Sequence, residues 1–196
     1  NGGLGQFRDS VDALRAAGID PGRVHACNTA GALVLPAARY DFVRAGIGIY
    51  GVAPAPALAG VVALQQALAV KARVTFVKTV APGTRISYGL RYETDRETRI
   101  ATVPIGYADG VPRVLGHAGG SALVRGVRCP MAGTVTMDQL MLDVAELPVE
   151  PGDEVVLLGR QGDEVITADE WAALAGTIPY EIVCGIGPRV PRTYTL

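Results

Sequence analysis

Lysine is nearly absent from this sequence: Lys71 and Lys78 are the only two, and both sit in the run KARVTFVKTV. Chemistry that needs a lysine ε-amino group must use one of them. Their alternating polar placement among apolar neighbours suggests solvent-facing positions, whereas a Schiff-base lysine needs a desolvated pocket. Cysteine is also sparse. Cys27, Cys129 and Cys184 are odd in number, far apart and remote from any histidine cluster, which excludes a disulfide framework and a zinc site and points to a reducing cytoplasm. Neither sign of charge dominates: a formal net charge of -1 gives no electrostatic reason to approach nucleic acid or an anionic membrane surface, and a small neutral or zwitterionic partner is the more natural one. Long apolar runs are missing as well. Gln65 and Gln66 interrupt VVALQQALAV, and no run reaches the roughly 18 residues needed to span a bilayer. The chain opens on Asn1 rather than methionine, with no basic segment followed by an apolar one, so the expectation is a longer protein that was cut or whose front half lies outside this chain.

What is present is a folding composition. With 49% hydrophobic against 19% charged residues, 196 residues suffice to bury the core of one large domain or two small ones. Phe7, Val11 and Leu14 recur at helical spacing with Arg8, Asp9, Asp12 and Arg15 on the other face, which predicts a surface helix from Gln6 to Gly18. After the turn at Pro21-Gly22, Val24-His25-Ala26 reads as a short strand. Asn28 and Thr29 can cap a helix broken at Pro36, and Tyr40 to Val43 reads as a second short strand. That alternation belongs to a parallel sheet or barrel, and it stops at VAPAPALAG. Beyond it come β-branched runs of strand length divided by turn residues: KARVTFVKTV, TRIATVPIGY, SALVRGVRC, LMLDVAEL and EVVLLG. The fold class is therefore α/β, then mainly β. PGDEVVLLGRQGDEVI reads as a hairpin whose turn carries Gly159 and Gly162-Asp163, and Thr167 with Glu170 forms a capping box that starts a helix from Ala168 to Ala175.

Several segments invite a functional reading, each with a plainer alternative. Gly46-Ile47-Gly48-Ile49-Tyr50-Gly51 matches G-x-G-x-x-G, but Pro54 and Pro56 break any long helix after it and Leu64 to Val74 contains no acid for a ribose, so a dinucleotide site is the wrong use. Close approach of backbone N–H groups to a phosphate survives, beside plain tight packing of a strand. A lone His25 on a short strand is ordinarily a core residue. Tyr88 in ISYG lies at a loop, where functional side chains concentrate, although loop tyrosines are ordinarily half-buried aromatics. Tyr107-Ala108-Asp109-Gly110 has ordinary turn chemistry, and Met137 before Asp138 reads first as core filler.

Taken in order, HACNTAGAL, DFVRAGIGIYG, ISYG, PIGYADG, GTVTMDQ and PYEIVCGIGPRVPR resemble the alanine racemases, and the resemblance covers nearly the whole chain. It implies the last strands and helices of a (β/α)8 barrel in residues 1–56, followed by a C-terminal β-barrel-like domain in residues 57–196. It also implies an isomerase that uses pyridoxal 5'-phosphate to interconvert L- and D-alanine for peptidoglycan, working in the cytoplasm as a homodimer whose active sites lie between the barrel of one subunit and the β domain of the other. By motif, Arg44 corresponds to the arginine that faces the pyridine nitrogen of the cofactor, with His25 close behind it. A guanidinium stays protonated, so it hydrogen-bonds the ring nitrogen without protonating it, which suits racemisation over side reactions. Thr29 with Asn28, and the backbone of Gly46 and Ile47, correspond to the phosphate cradle. Tyr88 corresponds to one of two opposed acid/base groups, which inversion of a carbon requires. Tyr107 corresponds to an inner-entrance residue, and Met137, followed by Asp138, to the substrate-carboxylate contact.

Two positions depart from the pattern: Thr134 stands in place of an arginine, and Pro188 in place of a phosphate-binding tyrosine. The larger departure is the missing barrel front with its Schiff-base lysine, which predicts that this chain alone is inactive. A racemase acting on serine or a broader set of amino acids, and a non-catalytic binding or assembly module, are the alternatives.

Overall fold

The computed structural model describes residues 2–195, which fall into two compact units that divide between Ala67 and Leu68.

The first unit opens with helix α1, Gly2–Ala16, of which only Val11 is buried. It stops where the periodicity stops: Gly18 takes φ +75, and the Ile19 N–H returns to the Leu14 carbonyl at 3.0 Å, closing the last carbonyls of the helix. Helix α2, Thr29–Val34, is capped by Asn28, whose side chain accepts from the Gly31 N–H at 3.0 Å. The two predicted short strands at Val24–Ala26 and Tyr40–Val43 do not form. Their segments do run in parallel register, because the Asp41 N–H donates to Val24 O at 3.1 Å and the Arg44 N–H donates to Cys27 O at 2.9 Å. Only one bridge, Asn28 to Arg44, results. The cause is local: Tyr40 has φ +47, and the Asp41 carboxylate takes the Val24 N–H at 2.6 Å, so turn chemistry displaces the ladder at its start. Two segments without a third strand are in any case marginal.

The second unit is built of antiparallel strands. They are β1 Val70–Arg73, β2 Phe76–Val80, β3 Arg85–Ile86, β4 Tyr92–Glu93, β5 Thr98–Val103, β6 Ser121–Val124, β7 Val127–Pro130, β8 Leu140–Ala145, β9 Glu154–Gln161 and β10 Glu164–Ile166. One sheet has the order β1-β9-β6-β7, with β10 also on β9; a second has the order β2-β5-β8; β3 and β4 form a ribbon. The run KARVTFVKTV, expected as one strand, serves both sheets. Val74 still donates to Asp153 O at 2.9 Å, but Thr75 already donates to Thr102 O at 2.9 Å, so the chain changes partner between two consecutive residues. At the other end a Met131–Leu142 bridge links the end of β7 to β8. The strands thus form a circuit.

The unit fully buries Leu115, Leu123, Leu140, Leu142, Leu157 and Trp171, from strands β6, β8 and β9, the 3₁₀ turn Arg113–Gly116 and the helix that follows β10. Helix α3, Ala168–Ala175, starts as its capping residue predicts, with Thr167 Oγ1 accepting from the Glu170 N–H at 3.1 Å, and packs against α4, Pro179–Gly185. The β9–β10 hairpin differs from expectation in one respect. Its turn is at Gly162 and Asp163, while Gly159 lies inside β9, opposite Ile166. With φ +118, and with a Cβ there falling 2.9 Å from the Ala69 Cβ, Gly159 is the point at which the incoming chain crosses close to β9.

Candidate functional site

Each unit collects its own group of the singled-out residues. In the second unit, one cavity of about 530 Å3 is lined by Tyr88, Tyr107, Met137 and Asp138, together with Arg113 and Thr134. None of the four sequence-predicted residues behaves as core filler: Tyr88 is 74% exposed, Met137 53% and Tyr107 42%.

The strands aim these residues. Pairing of Val103 with Leu140 sets the end of β5 beside the start of β8, so the turn after β5 meets the turn before β8. The first carries Tyr107 on a short 3₁₀ turn, Tyr107–Asp109, ended by Gly110 at φ +110. The second is cinched by Thr136, which both donates to and accepts from Gln139, presenting Met137 and Asp138 at its tip. The turns are bonded to each other: the Tyr107 N–H donates to Thr136 O and the Ala108 N–H to Met137 O, both at 3.0 Å. A Cβ at Gly106 would stand 2.3 Å from the Thr136 carbonyl oxygen, so only glycine allows this approach. Asp109 is buried and accepts from the Gly106 N–H at 2.9 Å, closing the Tyr107 turn.

Two arginines escaped the sequence reading. Arg113 lines the cavity. Arg189 donates to the Asp138 carboxylate at 2.7 Å and lies 3.4 Å from Asp109, tying the C-terminal RVPR segment to both turns. Asp138 therefore faces the cavity as half of an ion pair. Pro188 is exposed, beside Arg189. Thr134 is buried and faces the Tyr88 loop.

In the first unit, a cavity of about 610 Å3 is lined by His25, Asn28 and Arg44 among others, while Thr29, Gly46 and Ile47 lie off its lining. The Arg44 guanidinium donates to His25 Nδ1 in a short contact and to Ala26 O at 3.4 Å, so His25 is held as an acceptor through Nδ1, its ring tilted against Phe42. Thr29 Oγ1 accepts from the Gly46 N–H at 3.0 Å, leaving the hydroxyl proton for an anionic acceptor. A Cβ at Gly48 would come 2.8 Å from Thr29 Cγ2, which explains the second glycine by packing. Neither lysine belongs to these groups. Lys71 pairs with Glu154 at 3.1 Å and Lys78 is exposed on β2. Among the described residues no cluster of histidine, cysteine and carboxylate has metal-binding geometry, and no helix is long and apolar enough to cross a membrane.

Comparison with known proteins bears directly on these two groups. The alanine racemase C-terminal domain model matches residues 67–194, and the alanine racemase N-terminal domain model matches residues 1–54. This chain belongs to the alanine racemase family. The alanine racemase of Symbiobacterium thermophilum is 53% identical over 192 residues, covering 97% of this chain and 51% of that protein. The alanine racemase of Nostoc sp. is 45% identical over 188 residues, covering 95% and 48%. Among solved structures, the alanine racemase from Bacillus anthracis with bound L-Ala-P superposes with a TM-score of 0.89 at 42% identity, covering 97% of this chain and 49% of that one. The enzyme from D-cycloserine producing Streptomyces lavendulae gives 0.89 at 43% identity, covering 98% and 50%. The chain thus spans about half the length of the racemases it matches.

Proposed function

We propose that this chain is the C-terminal half of a pyridoxal-phosphate dependent alanine racemase, interconverting L- and D-alanine as a cytoplasmic homodimer and supplying D-alanine for peptidoglycan. The observation that carries the proposal is the gathering of Tyr88, Tyr107, Met137 and Asp138 on one cavity, in a chain that matches both racemase domain models in order. In this reading residues 1–56 are the end of a (β/α)8 barrel, and the strand circuit is the β-barrel-like domain of residues 57–196.

The first unit fits the cofactor. Pyridoxal phosphate, when bound, supplies an electron sink that acidifies the α-hydrogen of an amino acid. Arg44 would meet the ring nitrogen with its guanidinium, which donates a hydrogen bond and keeps its proton. His25 fixes that guanidinium by accepting from it at Nδ1. The Thr29 hydroxyl, held by the Gly46 N–H, would donate to the phosphate, and Asn28 and the Ile47 backbone would complete the cradle. Tyr88, on an exposed loop tip, holds and moves a proton at one face of the substrate's α-carbon, across the interface to the partner subunit. Met137 receives the substrate carboxylate through its backbone, and Tyr107 narrows the approach. Asp138, neutralised by Arg189, orients the turn without repelling that carboxylate. The group serving the opposite face is a lysine outside this chain.

The test is Tyr88→Phe in the complete enzyme. Turnover is expected to fall by roughly 10²–10⁴, as for a positioned acid/base group, with cofactor absorbance intact. Exchange of the α-hydrogen with deuterated solvent fails more severely for one enantiomer than for the other. Equal loss for both enantiomers removes Tyr88 from the mechanism.

A further inference from the structure

The loop that carries Tyr88 has a backbone that side-chain-bearing residues avoid. Ser87 has φ +63, Gly89 φ +75 and Leu90 φ +51, three positive values within four residues. Such a segment keeps one shape only where its surroundings over-determine it. The Tyr88 side chain lends little help, being 74% exposed. The restraint comes from one buried residue across the unit. Thr134, 3% exposed, donates from its hydroxyl to the Tyr88 carbonyl at 2.7 Å, and its own carbonyl accepts from the Ser87 hydroxyl at 2.7 Å. The first bond holds the peptide plane that follows the Tyr88 Cα, and the second anchors the Ser87 side chain that precedes it, while the Ser87 carbonyl accepts from the Leu90 N–H at 3.2 Å; together they restrain the direction of the Tyr88 Cα–Cβ bond.

Two further features show that the contact is built rather than incidental. Gly133, at φ +89, lets the backbone before Thr134 come against the loop, where a Cβ would stand 2.8 Å from Ile86 O and 3.0 Å from Ser87 Cβ. The Thr134 hydroxyl also meets His117 Nε2 at 3.1 Å. A hydroxyl has one proton, and this one is committed to Tyr88 O, so His117 must be the donor, with its proton on Nε2. His117 ends the 3₁₀ turn Arg113–Gly116, whose Arg113 lines the same cavity as Tyr88. One hydroxyl thus joins the tyrosine loop to the arginine turn.

We infer that Thr134 is the positioning residue of Tyr88, with Ser87 and His117 as its two supports. The catalytic consequence rests on the proposed role of Tyr88; the clamp itself does not. Thr134→Val keeps the shape of the side chain and removes the hydroxyl, and Thr134→Ser restores the hydroxyl. In the complete enzyme Thr134→Val lowers kcat by on the order of 10²-fold, the loss that goes with an ångström of misplacement. KM changes little, and the α-hydrogen exchange becomes asymmetric between enantiomers in the same sense as in Tyr88→Phe. Thr134→Ser recovers most of the rate. Ser87→Ala, which leaves the buried residue untouched, gives a smaller loss of the same kind and guards against a folding defect in the valine variant.

Independently of activity, ¹⁵N spectra of the enzyme show the Nε2–H form of His117, and that preference disappears in Thr134→Val. Wild-type kcat in Thr134→Val, where Tyr88→Phe is impaired, overturns the inference and leaves the proposed function standing. Equal impairment of the valine and serine variants overturns it as well. If Tyr88→Phe is itself unimpaired, the role of Tyr88 falls, and the ¹⁵N spectra and the amide exchange of the Tyr88–Leu90 turn still decide whether the clamp exists.

Discussion

Asp143 on β8 is the strongest polar commitment inside the second unit, and removing it yields a worked prediction. The residue is 5% exposed. One carboxylate oxygen accepts from the Thr98 hydroxyl at 2.5 Å and the Ala145 N–H at 2.9 Å; the other accepts from the Tyr92 hydroxyl at 2.6 Å and faces Arg96 at 3.6 Å. Asp143→Ala leaves the fixed Ala145 N–H and the buried Thr98 hydroxyl without acceptors. At about 1–3 kcal/mol for each such group, and with the charge lost from a buried network, the cost is about 3–5 kcal/mol. Asp143→Asn keeps one oxygen for Thr98 and Ala145 and obliges Tyr92 to turn from donor to acceptor, so it costs about 1–2 kcal/mol; Arg96, mostly in solvent, adds little.

Urea unfolding followed by the fluorescence of Trp171, the sole tryptophan, reads both values from within the same unit. The pH dependence follows from the acid's own shift. Burial pushes the Asp143 carboxyl upward, but the hydrogen bonds from Thr98, Tyr92 and the Ala145 N–H, with Arg96 nearby, outweigh it and hold the carboxyl below its ordinary range. A depressed folded value contributes stability above the unfolded pKa of about 3.9 and loses it as the pH falls through the folded value. The stability gap between the native chain and Asp143→Asn therefore narrows as the solution is acidified below about pH 4. A cost under about 1 kcal/mol for Asp143→Ala, or a gap that stays constant on acidification, refutes this account.

Gly106→Ala places a methyl group on the Thr136 carbonyl and is expected to part the Tyr107 and Met137 turns, seen as faster amide exchange at Tyr107 and Ala108 and weaker substrate binding in the complete enzyme. A maleimide titration of the native chain is expected to label exposed Cys184 and spare Cys27 and Cys129 until unfolding; burial, and then the Asp143 carboxylate, pushes the Cys129 thiol up to about 11 and keeps it protonated. Borohydride reduction of this chain mixed with pyridoxal phosphate is expected to leave no stoichiometric pyridoxyl adduct on Lys71 or Lys78, by mass spectrometry, because neither lies in a desolvated pocket.

Much of the second unit was legible because its signals are local. Turn residues divide the strands, and Thr167 marks a helix start that the structure reproduces residue for residue, although the Glu170 carboxylate of the expected capping box binds Arg128 instead. The four residues on its cavity could be named from motifs because they sit at turns between strands. The change of sheet between Val74 and Thr75 was not legible, since no glycine or proline marks it and only the partners at Asp153 and Thr102 reveal it. Gly159 reads as a turn residue by composition, yet its use is a crossing of chains distant in sequence. The segments around His25 and Phe42 have strand composition, but the ladder depended on Tyr40 staying extended, and it does not. Arg113, Arg189 and the contacts of Thr134 escaped notice because long-range pairing leaves no periodic trace.

The handover at Val74 and Thr75 also couples the registers of the two sheets. β1 cannot slide along β9 without dragging β2 along β5, and β5 is paired in turn with β8, where Val103 stands opposite Leu140. A slip of one residue anywhere in that series would turn inward-facing side chains outward. It would also carry the Tyr107 turn away from the Met137 turn. Three strand pairings in series thus act as a ruler for the distance between two loop tips, and a substitution in the buried middle of β9 can misalign the cavity while touching none of its walls.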